Sequence, residues 1–168
     1  SGYGAHSRDI IRAIIAKYPK WDIKISDTRW GNTPRNALVK GKDDNILSKI
    51  DSTLNRRPDV FIQITVPNEF NPIGVFNIGI TAGIETTKCA PQWLEGCNRM
   101  NLVITTSNHS KSVLEQTEWQ MKDKRTNQEM GALTAKTPIE ILFEGIDKAI
   151  YHKTDKKYPI INGLMDRI

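Results

Sequence analysis

FNIGITAGIETTKCAPQWLEGCNRMNLVITTSNHS, residues 76–110, is the stretch whose reading decides the fold. With Val75 just ahead of it, it carries two apolar runs, 75–80 and 102–105, each followed at once by small and polar residues. The first leads into Thr81-Ala82-Gly83-Ile84-Glu85-Thr86-Thr87-Lys88, the second into Thr106-Ser107-Asn108-His109-Ser110. Between them, residues 91–100 read as a short helix opened by Pro91, whose missing N–H costs nothing in a first helical turn. Strand, loop, helix, strand, loop is the pattern of a parallel α/β unit. Ligands of such sheets bind beyond the carboxyl ends of the strands, and there this chain carries its Glu, Lys, Thr, Ser, Asn and His.

Upstream, Ser1-Gly2-Tyr3-Gly4-Ala5-His6-Ser7-Arg8 reads as a glycine-containing loop ahead of a helix in which Ile10, Ile11, Ile14, Ile15 and Tyr18 recur at helical spacing. Glycine before a helix N-terminus lets backbone N–H groups approach an anion, while a bare Gly-x-Gly equally suits a flexible end. In a doubly wound fold such a loop follows the first strand, so a strand ahead of Gly2 is expected. Tyr18-Pro19 closes the helix, residues 21–25 alternate as a strand does, and 27–44 form a polar surface loop. Asp43-Asp44-Asn45 supplies an N-cap for a helix over 46–54. Residues 60–66 are apolar enough for a strand buried on both faces. They end in Pro67-Asn68-Glu69-Phe70-Asn71-Pro72, either a proline-braced turn or a ligand-facing loop.

Downstream, Ser107-Asn108-His109-Ser110 caps a helix running to Gln116. Residues 117–136, with Lys124-Arg125-Thr126-Asn127 at the tip, suggest a β-hairpin inserted before a last strand over 138–143, which runs into Glu144-Gly145-Ile146-Asp147. The expected fold class is therefore α/β: a Rossmann-like, doubly wound, mostly parallel sheet with an inserted hairpin. Residues 1–150 form the lobe and 151–168 a linker or C-terminal extension.

A chain of 168 residues suits one domain that buries a core without staples. A net charge of +5 favours anionic partners, but Lys and Arg are dispersed among 19 acidic residues, and aromatic residues do not alternate with them as a nucleic-acid stacking surface requires. Cys89 and Cys97 lack a metal-ligand spacing and read as structural thiols of a reducing compartment. No apolar run approaches the roughly 18 residues of a membrane span, so a soluble, cytoplasmic protein without a transmembrane segment is expected.

In their order, these pieces resemble the amino-terminal lobe of the GT-B glycosyltransferases, in the retaining group that includes many bacterial and phage sugar transferases. Gly2-Tyr3-Gly4 with Ser7-Arg8 matches the family's Gly-rich loop. Thr81, Glu85-Thr86-Thr87, Pro91-Gln92-Trp93 and Asn98-Arg99-Met100 match its central strand and helix, and Ser107-Asn108-His109-Ser110 matches its next strand end. Glu144-Gly145-Ile146-Asp147 matches its Glu-Gly-Val-Asp before the hinge. The resemblance implies transfer of a sugar from a nucleotide-sugar co-substrate to a hydroxyl of a glycan, lipid or protein acceptor, with no bound metal or other cofactor. The lobe would supply the acceptor side of the cleft and work with a C-terminal lobe that is not in this sequence, so that the isolated fragment is expected to be inactive. The histidine that the family often carries after its third or fourth strand has no clear counterpart, since that loop reads Pro67-Asn68-Glu69.

Transfer builds positive charge at the anomeric carbon and negative charge on the leaving diphosphate. Loop amides at Gly2 to Gly4, with Arg8, are candidates for the diphosphate. A carboxylate near the acceptor hydroxyl can orient it or take its proton, and Glu85 is the first candidate, Glu69 the second. Tyr3, His6, Thr81, Thr86, Lys88, Ser107, Asn108, His109 and Glu144 complete the expected donor-phosphate and acceptor contacts. The rival readings are a non-catalytic Rossmann-like module that holds a phosphorylated ligand and, from the charge alone, a nucleic-acid binder.

Overall fold

The computed structural model describes residues 2–28, 31–32, 34, 36–123, 125–148 and 151–153. Four strands form an all-parallel sheet: β1 (Val60–Ile64), β2 (Phe76–Thr81), β3 (Leu102–Thr105) and β6 (Ile139–Ile141), in that spatial order. The register sets Gln63 beside Gly79, Gly79 beside Val103, and Val103 beside Ile139. A separate antiparallel pair, β4 (Trp119–Lys122) and β5 (Glu129–Leu133), is the expected hairpin. Its turn is closed by the Asp123 carboxylate, which accepts from the Arg125 and Thr126 amides, and by Asn127 at φ 56°. The fold is thus α/β with a Rossmann-like parallel sheet.

Two helices connect the inner strands. α3 (Pro91–Cys97) lies between β2 and β3, and α4 (Asn108–Gln116) follows β3. Each crossover advances one place in the same direction. Parallel crossovers are right-handed, so this order lays successive connections on one face of the sheet. The core agrees: Leu94 and Cys97 of α3 and Val113 and Leu114 of α4 pack with Phe70, Cys89, Met100, Val103 and Ile139 in one cluster. Among the described strands the winding is therefore one-directional, without the reversal of a doubly wound sheet. Burial raises the Cys89 thiol and pushes Cys97 up to about 12, so both are unreactive core groups at neutral pH.

Three expectations upstream of the sheet are corrected. Gly2 and Gly4 lie inside α1 (Gly2–Lys17) rather than in a loop before it. Neither has a positive φ, so the chain uses there no conformation that glycine alone permits. Residues 21–25 do not join the sheet: Ile25 alone pairs, in a single parallel bridge with Ile50. The helix expected over 46–54 is a single turn, α2 (Asp44–Leu47), because Lys49 and Asp51 give their backbone groups to Ile25 instead. Asp43 precedes it without a capping bond, as its carboxylate accepts from Val39 N (2.9 Å) and Arg12 (2.9 Å). β1 is also less buried than its composition suggests; it is the outer strand of the described sheet, and Val60 is exposed. Of the extension expected over 151–168, residues 154–168 lie outside the described residues.

Candidate functional site

The carboxyl ends of β2 and β3 open into a cavity of about 290 Å³ lined by Ala82, Gly83, Ile84, Glu85, Ser107, His109 and Ser110. The sequence explains its two walls. β2 ends at Thr81, and Gly83, at φ +88°, turns the chain so that Ile84 and Glu85 follow the cavity. β3 ends at Thr105, and Ser107 caps α4 by accepting from Ser110 N at 3.1 Å while its hydroxyl meets that of Ser110 at 3.0 Å. Thr106 ties the walls together, donating to the Ala82 carbonyl at 2.9 Å.

Of the residues expected from sequence, Glu85, Ser107 and His109 meet in this cavity. Glu85 is exposed there and, among the described residues, makes no hydrogen bond or ion pair; the neighbouring threonines do not claim it. Thr81, fully buried, shares a 3.0 Å hydrogen bond with the Tyr3 hydroxyl, which also accepts from Ala82 N at 3.2 Å. One turn along α1, His6 Nδ1 stands 3.4 Å from Glu144, just beyond β6. The first turns of α1 therefore bridge from the end of β2 to the segment leaving β6, with the end of β3 between them.

Other expected residues lie elsewhere. Glu69 accepts from the Thr65 hydroxyl at 2.5 Å beyond β1, outside the cavity lining. Thr86 donates to the Lys88 carbonyl, and the Lys88 ammonium sits 3.7 Å from the centre of the Trp119 ring, a cation–π contact that fastens the loop to the hairpin. Asn108 is the exposed first residue of α4 and does not line the cavity. Arg8 is half-buried on α1, also away from the lining. The anion cradle expected at Gly2 to Gly4 is replaced by the first turn of α1.

The Asn98-Arg99 pair has a structural duty. Asn98 holds the chain after the hairpin through Thr134 O (2.8 Å) and Lys136 N (2.7 Å), and Arg99 donates to the carbonyls of Phe70 and Asn68. Sequence reasoning did not single out Gly83, Thr106 or Ser110 as site residues. A glycine one residue past an apolar strand was the available signal for the first; the others depend on partners 24 and 3 residues away.

Chemically, the cavity offers a free carboxylate, an exposed imidazole and hydroxyls, with no Lys or Arg among the described residues of its lining. That set suits a neutral, hydroxyl-rich ligand better than a phosphate. Among the described residues, no group of three or more His, Cys, Asp or Glu is placed to hold a metal, and no helix is long and apolar enough to cross a membrane. No family model matches the chain, and no match was found among curated proteins or solved structures.

Proposed function

We propose that this chain is the acceptor-side lobe of a GT-B-type glycosyltransferase, moving a sugar from a nucleotide-sugar donor to an acceptor hydroxyl. The observation that carries the reading is the meeting of Glu85, Ser107 and His109 in one cavity at the carboxyl end of a parallel sheet, with Tyr3, Thr81, His6 and Glu144 along the same rim. Glu85 is the group that orients the acceptor hydroxyl or takes its proton as the oxygen bonds to the anomeric carbon. The bond to the diphosphate breaks with its electron pair, and that diphosphate is held chiefly by a second lobe. A cavity with no Lys or Arg among the described residues of its lining favours this acceptor role over a module that grips a phosphorylated ligand or nucleic acid.

The test is sugar transfer by the full-length gene product across a panel of nucleotide sugars and hydroxyl acceptors. Glu85→Gln is expected to lower kcat by about 10²-fold or more with the circular dichroism spectrum unchanged. Undiminished turnover in that variant removes Glu85 from the mechanism, and no transfer by the unaltered protein from any donor removes the transferase reading.

A further inference from the structure

The basic residues, dispersed along the sequence, are not evenly shared between the parts of the molecule. Residues 1–57 carry 12 Lys and Arg against 6 Asp and Glu, whereas residues 58–168 carry 12 against 13. Three of those six acids are already paired within the amino-terminal part: Asp9 and Asp43 with Arg12, and Asp51 with Lys24. Lys17, Lys20 and Lys40 are exposed and make no ion pair among the described residues. A surplus of one sign concentrated in one part favours an extended surface of the opposite sign.

The same part leaves large apolar side chains in water. Trp21 is 56% exposed and Tyr18 42%, and their rings stack on each other, with centroids 4.1 Å apart and planes 8° from parallel, rather than packing into the core. The turn that ends α1, closed by Trp21 N donating to the Tyr18 carbonyl at 3.1 Å, gathers Lys17, Tyr18, Lys20 and Trp21 into one tip. Lys24, bonded to Asp51 (2.7 Å) and to the Thr53 carbonyl (3.3 Å), and the Ile25–Ile50 bridge bring residues 50–54 alongside, where Ile50 and Leu54 are also exposed.

Exposed aromatic and aliphatic groups beside unpaired lysines fit the boundary of an anionic bilayer, where rings settle at the level of the headgroups and ammonium groups meet phosphates. Nucleic acid fits less well. Stacking on each other closes one face of each ring to a base, and a phosphate backbone has no use for Ile50 and Leu54.

We propose that the tip formed by Lys17, Tyr18, Lys20 and Trp21 docks this protein peripherally on an anionic lipid bilayer. α1 carries Tyr3 at its cavity end, and the 15 residues from there to Tyr18, at about 1.5 Å each, put the tip roughly 20 Å away along the helix. Docking therefore leaves the cavity uncovered, and the inference stands apart from the transferase reading.

The experiment is flotation of the full-length protein with vesicles of phosphatidylcholine alone and of phosphatidylcholine mixed with phosphatidylglycerol, with a DNA duplex as the rival polyanion. The protein should float with the mixed vesicles and not with the neutral ones, and added salt should release it. Lys17→Gln combined with Lys20→Gln should weaken that binding by about ten- to thirtyfold, the scale of two basic residues near a charged bilayer. Trp21→Ala should weaken it by about tenfold, and Trp21→Tyr, which keeps an amphipathic ring, should restore most of the loss. Brominated lipid should quench tryptophan emission in the unaltered protein and much less in Trp21→Tyr.

No flotation with the anionic vesicles overturns the proposal, including the case in which another part of the protein covers the tip. Equal binding to neutral vesicles, vesicle binding and quenching that survive all three variants, or retention by the duplex in place of the vesicles overturns it as well.

Discussion

Gly83 occupies the tightest point of the site. Its φ of +88° is open to glycine and strained for other residues, and a Cβ there would stand 2.0 Å from Ser110 Oγ, the atom that meets the capping hydroxyl of Ser107. Gly83→Ala is therefore expected to cost about 1–3 kcal/mol in urea unfolding. It should also move the Ser107 and Ser110 amide resonances as the two cavity walls part; native stability in that variant would mean that the loop takes another path. Glu85, Ser107 and His109 were legible because polar residues just past two apolar runs have few places to go except a sheet's ligand-binding end. Lys88 was not, because the attraction that places it comes from Trp119, 31 positions on, and local pattern carries no trace of that choice. Gly83 was half-legible: the letter permits a positive φ without demanding it.

At the level of elements, α3 shows how tertiary contact overrides local preference. Exposed in a helix interior, a Gly→Ala change gains about 1 kcal/mol. At Gly96 the added Cβ would lie 1.8 Å from the Pro67 carbonyl oxygen, which belongs to the 3-10 turn Pro67–Glu69. That oxygen is backbone and can yield only if the turn shifts, so Gly96→Ala is expected to destabilise by roughly 1–3 kcal/mol. Chemical denaturation measures it, and a gain in stability would show that α3 and the turn are not in contact.

The strongly patterned elements β2, β3 and α4 were readable to within a residue, and α3, expected over 91–100, ends three residues early at Cys97; each buries an apolar face against the next. The weakly patterned ones were not. Residues 21–25 alternate like a strand, yet strand pairing is a long-range choice, and here only Ile25 finds a partner, at Ile50. α2 is short for the complementary reason, because the backbone beyond Leu47 is committed to that bridge. The start of α1 was misread because two glycines suggest a loop, whereas Tyr3 anchors the first turn through Thr81 and Ala82, nearly eighty residues away.

Seen whole, the molecule divides into parts of unequal burial. The cluster under the sheet contains nine buried residues, while in the described part of 2–54 only Asp43 and Ile46 are buried. The amino-terminal part is instead fastened by polar contacts: Arg12 with Asp43 at 2.9 Å and Lys24 with Asp51 at 2.7 Å. Segments with little apolar burial open at lower free energy than the core they rest on. Both carboxylates are held below their ordinary range. Asp51 is brought to about 2 by the Lys24 ammonium and the Thr53 amide, and Asp43 is lowered by the Val39 amide and then Arg12. A carboxylate whose folded pKa lies below its unfolded value of about 3.9 contributes stability that is complete above that value and fades as pH falls toward the folded one. Acidification from about pH 5 to pH 2 should thus loosen residues 2–54 before the sheet, with the onset determined by these two groups. Amide hydrogen exchange at stepped pH measures it: protection in α1 and around the Ile25–Ile50 bridge should be lost while β2, β3 and α4 stay protected. In Asp51→Asn the acid dependence of the amino-terminal part should flatten, because the amide has no proton to take up. Because Asp51 and Lys24 are partly exposed, added salt should weaken the effect in the unaltered protein as well. Simultaneous loss of protection in both parts at one pH would show that they unfold as a single cooperative unit, and that the first turn of α1, which Tyr3 ties to Thr81 and Ala82, is as rigid as the core beneath it.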